Sequence, residues 1–182
     1  GHDFVAAALA RGAGAAVVAA DRAQAFAEAG PVLAVAGAGE DPVLDAMRAL
    51  GAAARARTDA GIVAVTGSVG KTGTKEALRH VLSAQGATHA SIASYNNHWG
   101  VPLTLARMPA QTQFGVFEIG MNHGGEIVPL AAMVQPDIAL ITTVEPVHIE
   151  HFASVSAIAD AKGEIFAYVK NMARNGGRPG GR

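Results

Sequence analysis

Cysteine is absent from all 182 residues, which removes a disulfide framework, a thiolate zinc site and a cysteine nucleophile from consideration and fits a cytosolic protein. Aromatic residues make up 5% and charged residues 16% of the chain. No apolar run approaches the roughly 18 residues that a membrane-spanning helix needs. No basic-then-apolar signal segment is present, so membrane insertion is not expected. A net charge of -1 gives no electrostatic attraction to nucleic acid or to an anionic membrane surface. With half of its residues hydrophobic, the chain can bury a core, as an α/β protein does, and is not expected to be disordered along most of its length. It starts at Gly1, which predicts a start that is processed, engineered or missing.

The most informative stretch runs from Ile62 to Glu76. The β-branched run Ile62-Val63-Ala64-Val65 leads into Thr66-Gly67-Ser68-Val69-Gly70-Lys71-Thr72-Gly73, and a helical pattern follows at once. Strand, glycine loop and helix in that order suit a polyanion: backbone N–H groups and the positive end of the helix dipole face it. Lys71 adds a point charge and Thr72 a hydroxyl for magnesium. The loop is shorter than the usual phosphate loop, because Val65 stands where the first glycine of that pattern would be. Taken without its context, Gly-Lys-Thr is equally an ordinary strand-to-helix turn.

The rest of the chain alternates. Helical patterns at 1–11, 21–29 and 41–57 enclose strands at 15–19 and 32–35, and Asp41-Pro42 reads as an N-cap followed by proline at the first helical position. Strands at 62–66, 88–92, 114–119 and 137–142 then alternate with helices at 71–84, from about 101, at 125–133 and at 155–169. Such alternation predicts an α/β fold with a mostly parallel sheet and helices on both faces, preceded by part of a smaller α/β domain. The division is expected at 58/59. Residues 171–182, rich in glycine, proline and arginine, are expected to be a disordered or out-of-frame tail. Ligands of such sheets sit at the C-terminal ends of the strands, where polar segments fall at 94–98, 118–125 and 142–152.

Three groups at these ends carry candidate chemistry. Glu118 closes the otherwise apolar run from Phe114; it reads either as a magnesium ligand beside phosphate oxygens or as a carboxylate exposed at the sheet edge. Lys162 lies within the apolar arc of a helix together with Ile158, Ile165, Phe166 and Val169. It is either a snorkelling lysine or a desolvated amine with a lowered pKa, available for carbamate chemistry. His148-Ile149-Glu150-His151 has two imidazoles beside a carboxylate and is open between a metal site and a surface pair. Asn96, Asn97 and His98 are either polar loop residues or ligand contacts.

Four segments together resemble the Mur ligases of peptidoglycan synthesis, and most closely their MurF type. They are the loop with Thr74-Lys75-Glu76; Asn96-Asn97 leading to Gly100-Val101-Pro102-Leu103-Thr104-Leu105; Glu118-Ile119-Gly120-Met121-Asn122 with Gly125-Glu126-Ile127; and His148 to Phe152 followed by Ile158 to Phe166. The resemblance implies that residues 1–58 are the later part of a UDP-substrate domain and 59–170 part of a central ATP-binding domain. It also implies that the C-terminal ligase domain is absent, so this chain alone would not complete a ligation. The implied reaction joins D-alanyl-D-alanine to a UDP-N-acetylmuramoyl peptide through an acyl phosphate, with ATP and magnesium, in a cytoplasmic monomer. Carried over residue by residue, Lys71 and the loop with Asn96 and Asn97 bind nucleotide. Thr72 and Glu118 hold one magnesium and His148 a second, and Lys162 is the carbamylated lysine that supports the magnesium site. Lys71, Lys162 and His148 would form the catalytic set. A Mur-like ligase of the MurE or folylpolyglutamate synthase type and a non-catalytic nucleotide-binding remnant are the alternatives.

Overall fold

In the computed structural model, residues 1–37, 39–147 and 151–170 are described. The expected tail and the candidates His148 and Glu150 lie outside them. The chain divides into two units, Gly1–Ala49 and Leu50–Arg182.

The first unit begins with a 3-10 turn, His2–Phe4, and the short helix α1, Val5–Ala10. Strands β1, Ala16–Ala19, and β2, Val32–Val35, pair in parallel with Ala16 opposite Val32. The helix expected at 21–29 is instead 3-10 over Ala20–Phe26. Asp41 caps helix α2, Pro42–Ala56, its Oδ1 accepting from the N–H groups of Val43 and Leu44 at 3.0 Å each. The division falls inside α2, earlier than the expected 58/59. Arg55 accounts for this: its guanidinium is buried and donates to the carbonyls of Val134, Gln135 and Thr58, all in the second unit. Burial lowers the pKa of Arg55, against the opposing pull of Asp137 and Asp59.

In the second unit the strands are β3, Gly61–Thr66; β4, Thr88–Ala90; β5, Phe114–Glu118; and β6, Ile138–Ile141. They form one parallel sheet in the order β4-β5-β3-β6. β3 reads as a continuous apolar run because both of its faces are covered. Ile62, Ala64, Phe117 and Ile119 face a core shared with α4, Gly100–Ala106, and α5, Ile127–Val134. Each fully buried large side chain there contributes roughly 1.5–3 kcal/mol. Val65, Val116 and Glu118 turn to the opposite face, where α3, Lys71–Ser83, packs on β4 and β5.

Ser154 caps the last helix, α6, Val155–Gly163, accepting from the N–H of Ala157. At Glu164 the helix tightens into 3-10 winding that runs to Tyr168. Side chains then advance by about 120° per residue instead of 100°. That change of pitch moves Phe166 out of the expected apolar arc to 51% exposure, while Ile158, Lys162 and Ile165 stay buried. Among the described residues no helix is long and apolar enough to cross a membrane.

The sheet order puts β3 between strands that follow it on either side, so the crevice opens at its C-terminal end. The polar segments after β3, β4, β5 and β6 gather there.

Candidate active site

The glycine loop after β3 is stitched to the segment that follows β6. Ser68 N–H donates to the Thr143 carbonyl at 2.9 Å and Val69 N–H to Thr143 Oγ1 at 3.1 Å. Ser68 Oγ donates to the Glu145 carbonyl at 3.1 Å and accepts from its N–H at 2.9 Å. Thr142 Oγ1 donates to the Val69 carbonyl at 2.6 Å. Gly67 makes this closeness possible, with φ at 144°. A Cβ there would collide with Thr142 Oγ1 and meet the Thr142 nitrogen at 3.0 Å.

These bonds occupy the N–H groups of Ser68 and Val69 and leave the helix end open. The first-turn N–H groups of a helix have no intrahelical acceptor, and α3 has no side-chain cap. Lys71, Thr72 and Gly73 therefore present main-chain donors at the positive end of the helix dipole. Lys71 is half-buried and folds over the loop, its ammonium donating to the Gly67 carbonyl at 2.7 Å and towards that of Ser68 at 3.4 Å.

Beside this end lies Glu118, 1% exposed. Its Oε2 accepts from Thr72 Oγ1 at 2.9 Å and its Oε1 from Asn96 Nδ2 at 2.8 Å, while its own N–H donates to Ser91 Oγ at 3.2 Å. The carboxylate is buried but bonded on both oxygens, so it is not a free sheet-edge group. Gly120 supports the same contact: its N–H donates to the Asn96 carbonyl at 2.8 Å, and a Cβ would press on the Asn96 amide at 2.8 Å. One hydroxyl and one carboxylate, both hard oxygen donors, suit magnesium that takes its remaining ligands from phosphate and water. Among the described residues, no three His, Asp or Glu side chains form a metal cage.

Asn97 is not brought to this point. Its Oδ1 accepts from the N–H groups of Trp99 and Gly100 at the start of α4, the work of a cap. Thr66 is buried, and its hydroxyl has no hydrogen-bond partner among the described residues. His151 packs against His123 with ring centroids 4.4 Å apart and the planes tilted by 38°. Lys162 is 4% exposed. Its pKa is lowered first by desolvation and then by the like charge of Lys71. The desolvated form of the two sequence readings is thus the one that the burial favours.

Sequence reasoning did not single out Lys75, which has no exposure at all and donates to carbonyls of the segment after β4. A signal was present. Lys75, Leu78 and Leu82 recur at helical spacing, so the lysine lies in an apolar arc as Lys162 does. The stitching by Ser68, Thr143 and Glu145 had no such signal, because nothing local pairs residues so far apart in the chain.

Comparison with known proteins identifies the family. The Mur ligase middle domain matches residues 65–174. The chain is 44% identical over 121 residues to the UDP-N-acetylmuramoyl-tripeptide--D-alanyl-D-alanine ligase of Rickettsia prowazekii, which covers 66% of this chain and 26% of that protein. It is 41% identical over 118 residues to the enzyme of the same name from Escherichia coli, covering 65% and 26%. Among solved structures, MurF from Acinetobacter baumannii superposes with a TM-score of 0.77 at 29% identity, over 86% of this chain and 38% of that one. MurF ligase from Thermotoga maritima in complex with ADP gives 0.72 at 28% identity, over 93% and 38%. The chain spans about a quarter of the length of these curated relatives. With more than half of its residues matched to the middle domain and its site at the strand ends of that domain, the chain belongs to the Mur ligase family.

Proposed function

We propose that this chain carries the nucleotide and magnesium site of a MurF-type ligase, which joins D-alanyl-D-alanine to a UDP-N-acetylmuramoyl tripeptide at the expense of ATP. The observation that carries the reading is the Thr72–Glu118–Asn96 constellation beside the uncapped start of α3. In this proposal the first unit, Gly1–Ala49, belongs to the UDP-substrate domain and the second, from Leu50 to residue 170, to the central domain, in a cytoplasmic monomer. The relatives' names and the ADP complex of the Thermotoga protein support it.

In the proposed reaction a carboxylate oxygen of the peptide attacks the γ-phosphorus of ATP and ADP leaves. The amine of D-alanyl-D-alanine then attacks the acyl carbon, phosphate departs, and the amine gives up its proton. The chain's share of this work is positioning and charge neutralisation, which supply most of the rate enhancement in phosphoryl transfer. N–H groups of Lys71, Thr72 and Gly73 hold phosphate oxygens, and the Lys71 ammonium leaves the loop carbonyls for the phosphates. Thr72 and Glu118 would hold magnesium, with His148 as a further candidate outside the described residues. The chemistry a divalent cation supplies there is neutralisation of phosphate charge. Lys162 as a carbamate would place an anion near the Lys71 ammonium; neutral amine and carbon dioxide give the carbamate and one proton.

Calorimetric titration of the chain with ADP, with and without magnesium, tests the nucleotide site. Absence of binding at millimolar ADP overturns it. The ligase reading is tested on the gene's full reading frame, by phosphate release that requires both the UDP-linked tripeptide and D-alanyl-D-alanine. Release that ignores either substrate overturns that reading.

A further inference from the structure

Lys75 follows Lys71 by one turn of α3, and it is a large charged side chain with no exposure to solvent. Its ammonium donates to the Ser91 carbonyl at 2.8 Å and the Ala93 carbonyl at 2.9 Å, and pairs with Glu76 Oε1 at 2.9 Å. Three protons thus meet three acceptors, which is what makes a buried ammonium tolerable. A methionine of similar length would fill the same space without desolvating a charge. What the ammonium adds is its hold on two carbonyls.

Both carbonyls belong to the segment that leaves β4, and that segment is under strain. Ala93 has φ at 47°, the left-handed region that a side chain disfavours. Lys75 grips the main chain at this residue and two residues before it. The same segment meets Glu118 twice: Ser91 Oγ accepts its N–H and Asn96 Nδ2 donates to its carboxylate. We propose that Lys75 is a positioning residue of the metal site, clamping the Ser91 and Ala93 carbonyls so that the chain delivers Asn96 to Glu118. The inference rests on the reading of Thr72 and Glu118 as the magnesium site, and it adds a residue that touches neither nucleotide nor metal.

The test uses the chain with two readouts, magnesium titration of the ADP-saturated protein and the NMR signals of the Asn96 side-chain amide without any ligand. In Lys75→Met, magnesium affinity falls about 10- to 100-fold, as when other outer-shell supports of a metal site are removed. ADP affinity without magnesium is unchanged, and the Asn96 signals move towards those of a solvated amide. Glu76→Gln, which keeps the ammonium and both carbonyl bonds, behaves as wild type in both readouts. Should the methionine variant fail to fold, Lys75→Gln takes its place, because its shorter amide reaches only one of the carbonyls and shows the same losses in smaller measure. Wild-type magnesium affinity and unmoved Asn96 signals in a folded Lys75 variant overturn the inference, as does an equal loss in Glu76→Gln. If wild type itself binds ADP without regard to magnesium, the metal reading fails, and the Asn96 signals alone decide whether Lys75 sets the path of the segment.

Discussion

Thr72 Oγ1, in the first turn of α3, donates a 2.9 Å hydrogen bond to Glu118 Oε2 at the end of β5. The hydroxyl has one proton, and it is committed to the carboxylate. Its lone pairs therefore remain for a cation. Asn96 commits the other carboxylate oxygen from the opposite side, so the group is held in one orientation before any ligand arrives. Preorganisation of this kind lowers the ordering cost of binding.

Glu118→Gln is expected to reduce magnesium affinity by at least about tenfold, where losses from disturbed metal sites begin. The reason is partly charge and partly hydrogen bonding. A glutamine offers its one carbonyl oxygen to Asn96 Nδ2 and its NH2 group to Thr72 Oγ1, which reverses from donor to acceptor and turns its proton to solvent. Both side-chain bonds are then kept in neutral form, so stability changes by about 1 kcal/mol or less. Magnesium titration of the ADP complex and urea unfolding check the two effects; unchanged magnesium dependence makes Glu118 structural.

Lys71→Ala acts on nucleotide and hardly on the fold. Among the described residues its ammonium holds two loop carbonyls, so stability drops by about 1 kcal/mol or less. Loss of a charge-assisted bond to phosphate lowers MgADP affinity by roughly 10- to 150-fold, the equivalent of about 1.5–3 kcal/mol. Calorimetry that finds equal affinity in wild type and variant overturns the role given to the loop.

Periodicity and loop chemistry made most of the second unit legible. The apolar run of β3, the glycine loop and the lone carboxylate on β5 are local patterns, and the parallel sheet follows from their alternation with helices. What stayed hidden depends on contact between distant residues. The Asn96–Glu118 bond links positions 22 apart, and Ser68 meets Glu145 across 77. The exposure of Phe166 was missed for a different reason: the helical wheel assumes α winding, and the chain switches to 3-10 at Glu164.

Gly67→Ala should destabilise the second unit by about 2–4 kcal/mol, combining left-handed backbone strain with overpacking against Thr142. The collision also displaces the Thr142 hydroxyl from the Val69 carbonyl that it bonds at 2.6 Å. Adding Thr142→Ala removes the hydroxyl from the clash and is expected to restore part of the stability, while the backbone contact with the Thr142 nitrogen remains. Denaturant midpoints of the single and double variants check this. No recovery in the double variant means that the hydroxyl clash contributes nothing and that backbone strain at Gly67 with the remaining main-chain contact is the whole effect.

Lys162 gives a prediction whose sign depends on pH. Desolvation, followed by the charge of Lys71, lowers its pKa below the ordinary 10.5. The folded state therefore releases the proton more readily than the unfolded one. Between the lowered pKa and about 10.5 the unfolded chain binds more protons, so stability rises with pH across that window. Below it the full cost of the buried charge is present. Lys162→Met is thus expected to stabilise the carbon dioxide-free protein at neutral pH, with the gain fading as pH approaches 10.5. Carbamylation changes the comparison, because it turns the unfavourable cation into an anion near the Lys71 ammonium. Saturating labelled carbon dioxide should then give a carbon-13 carbamate signal in wild type that Lys162→Met lacks, and should raise the stability of wild type alone. A methionine variant equally stable relative to wild type at every pH shows that the buried amine carries no charge penalty. Absence of the carbamate signal under saturating carbon dioxide returns Lys162 to an uncarbamylated lysine.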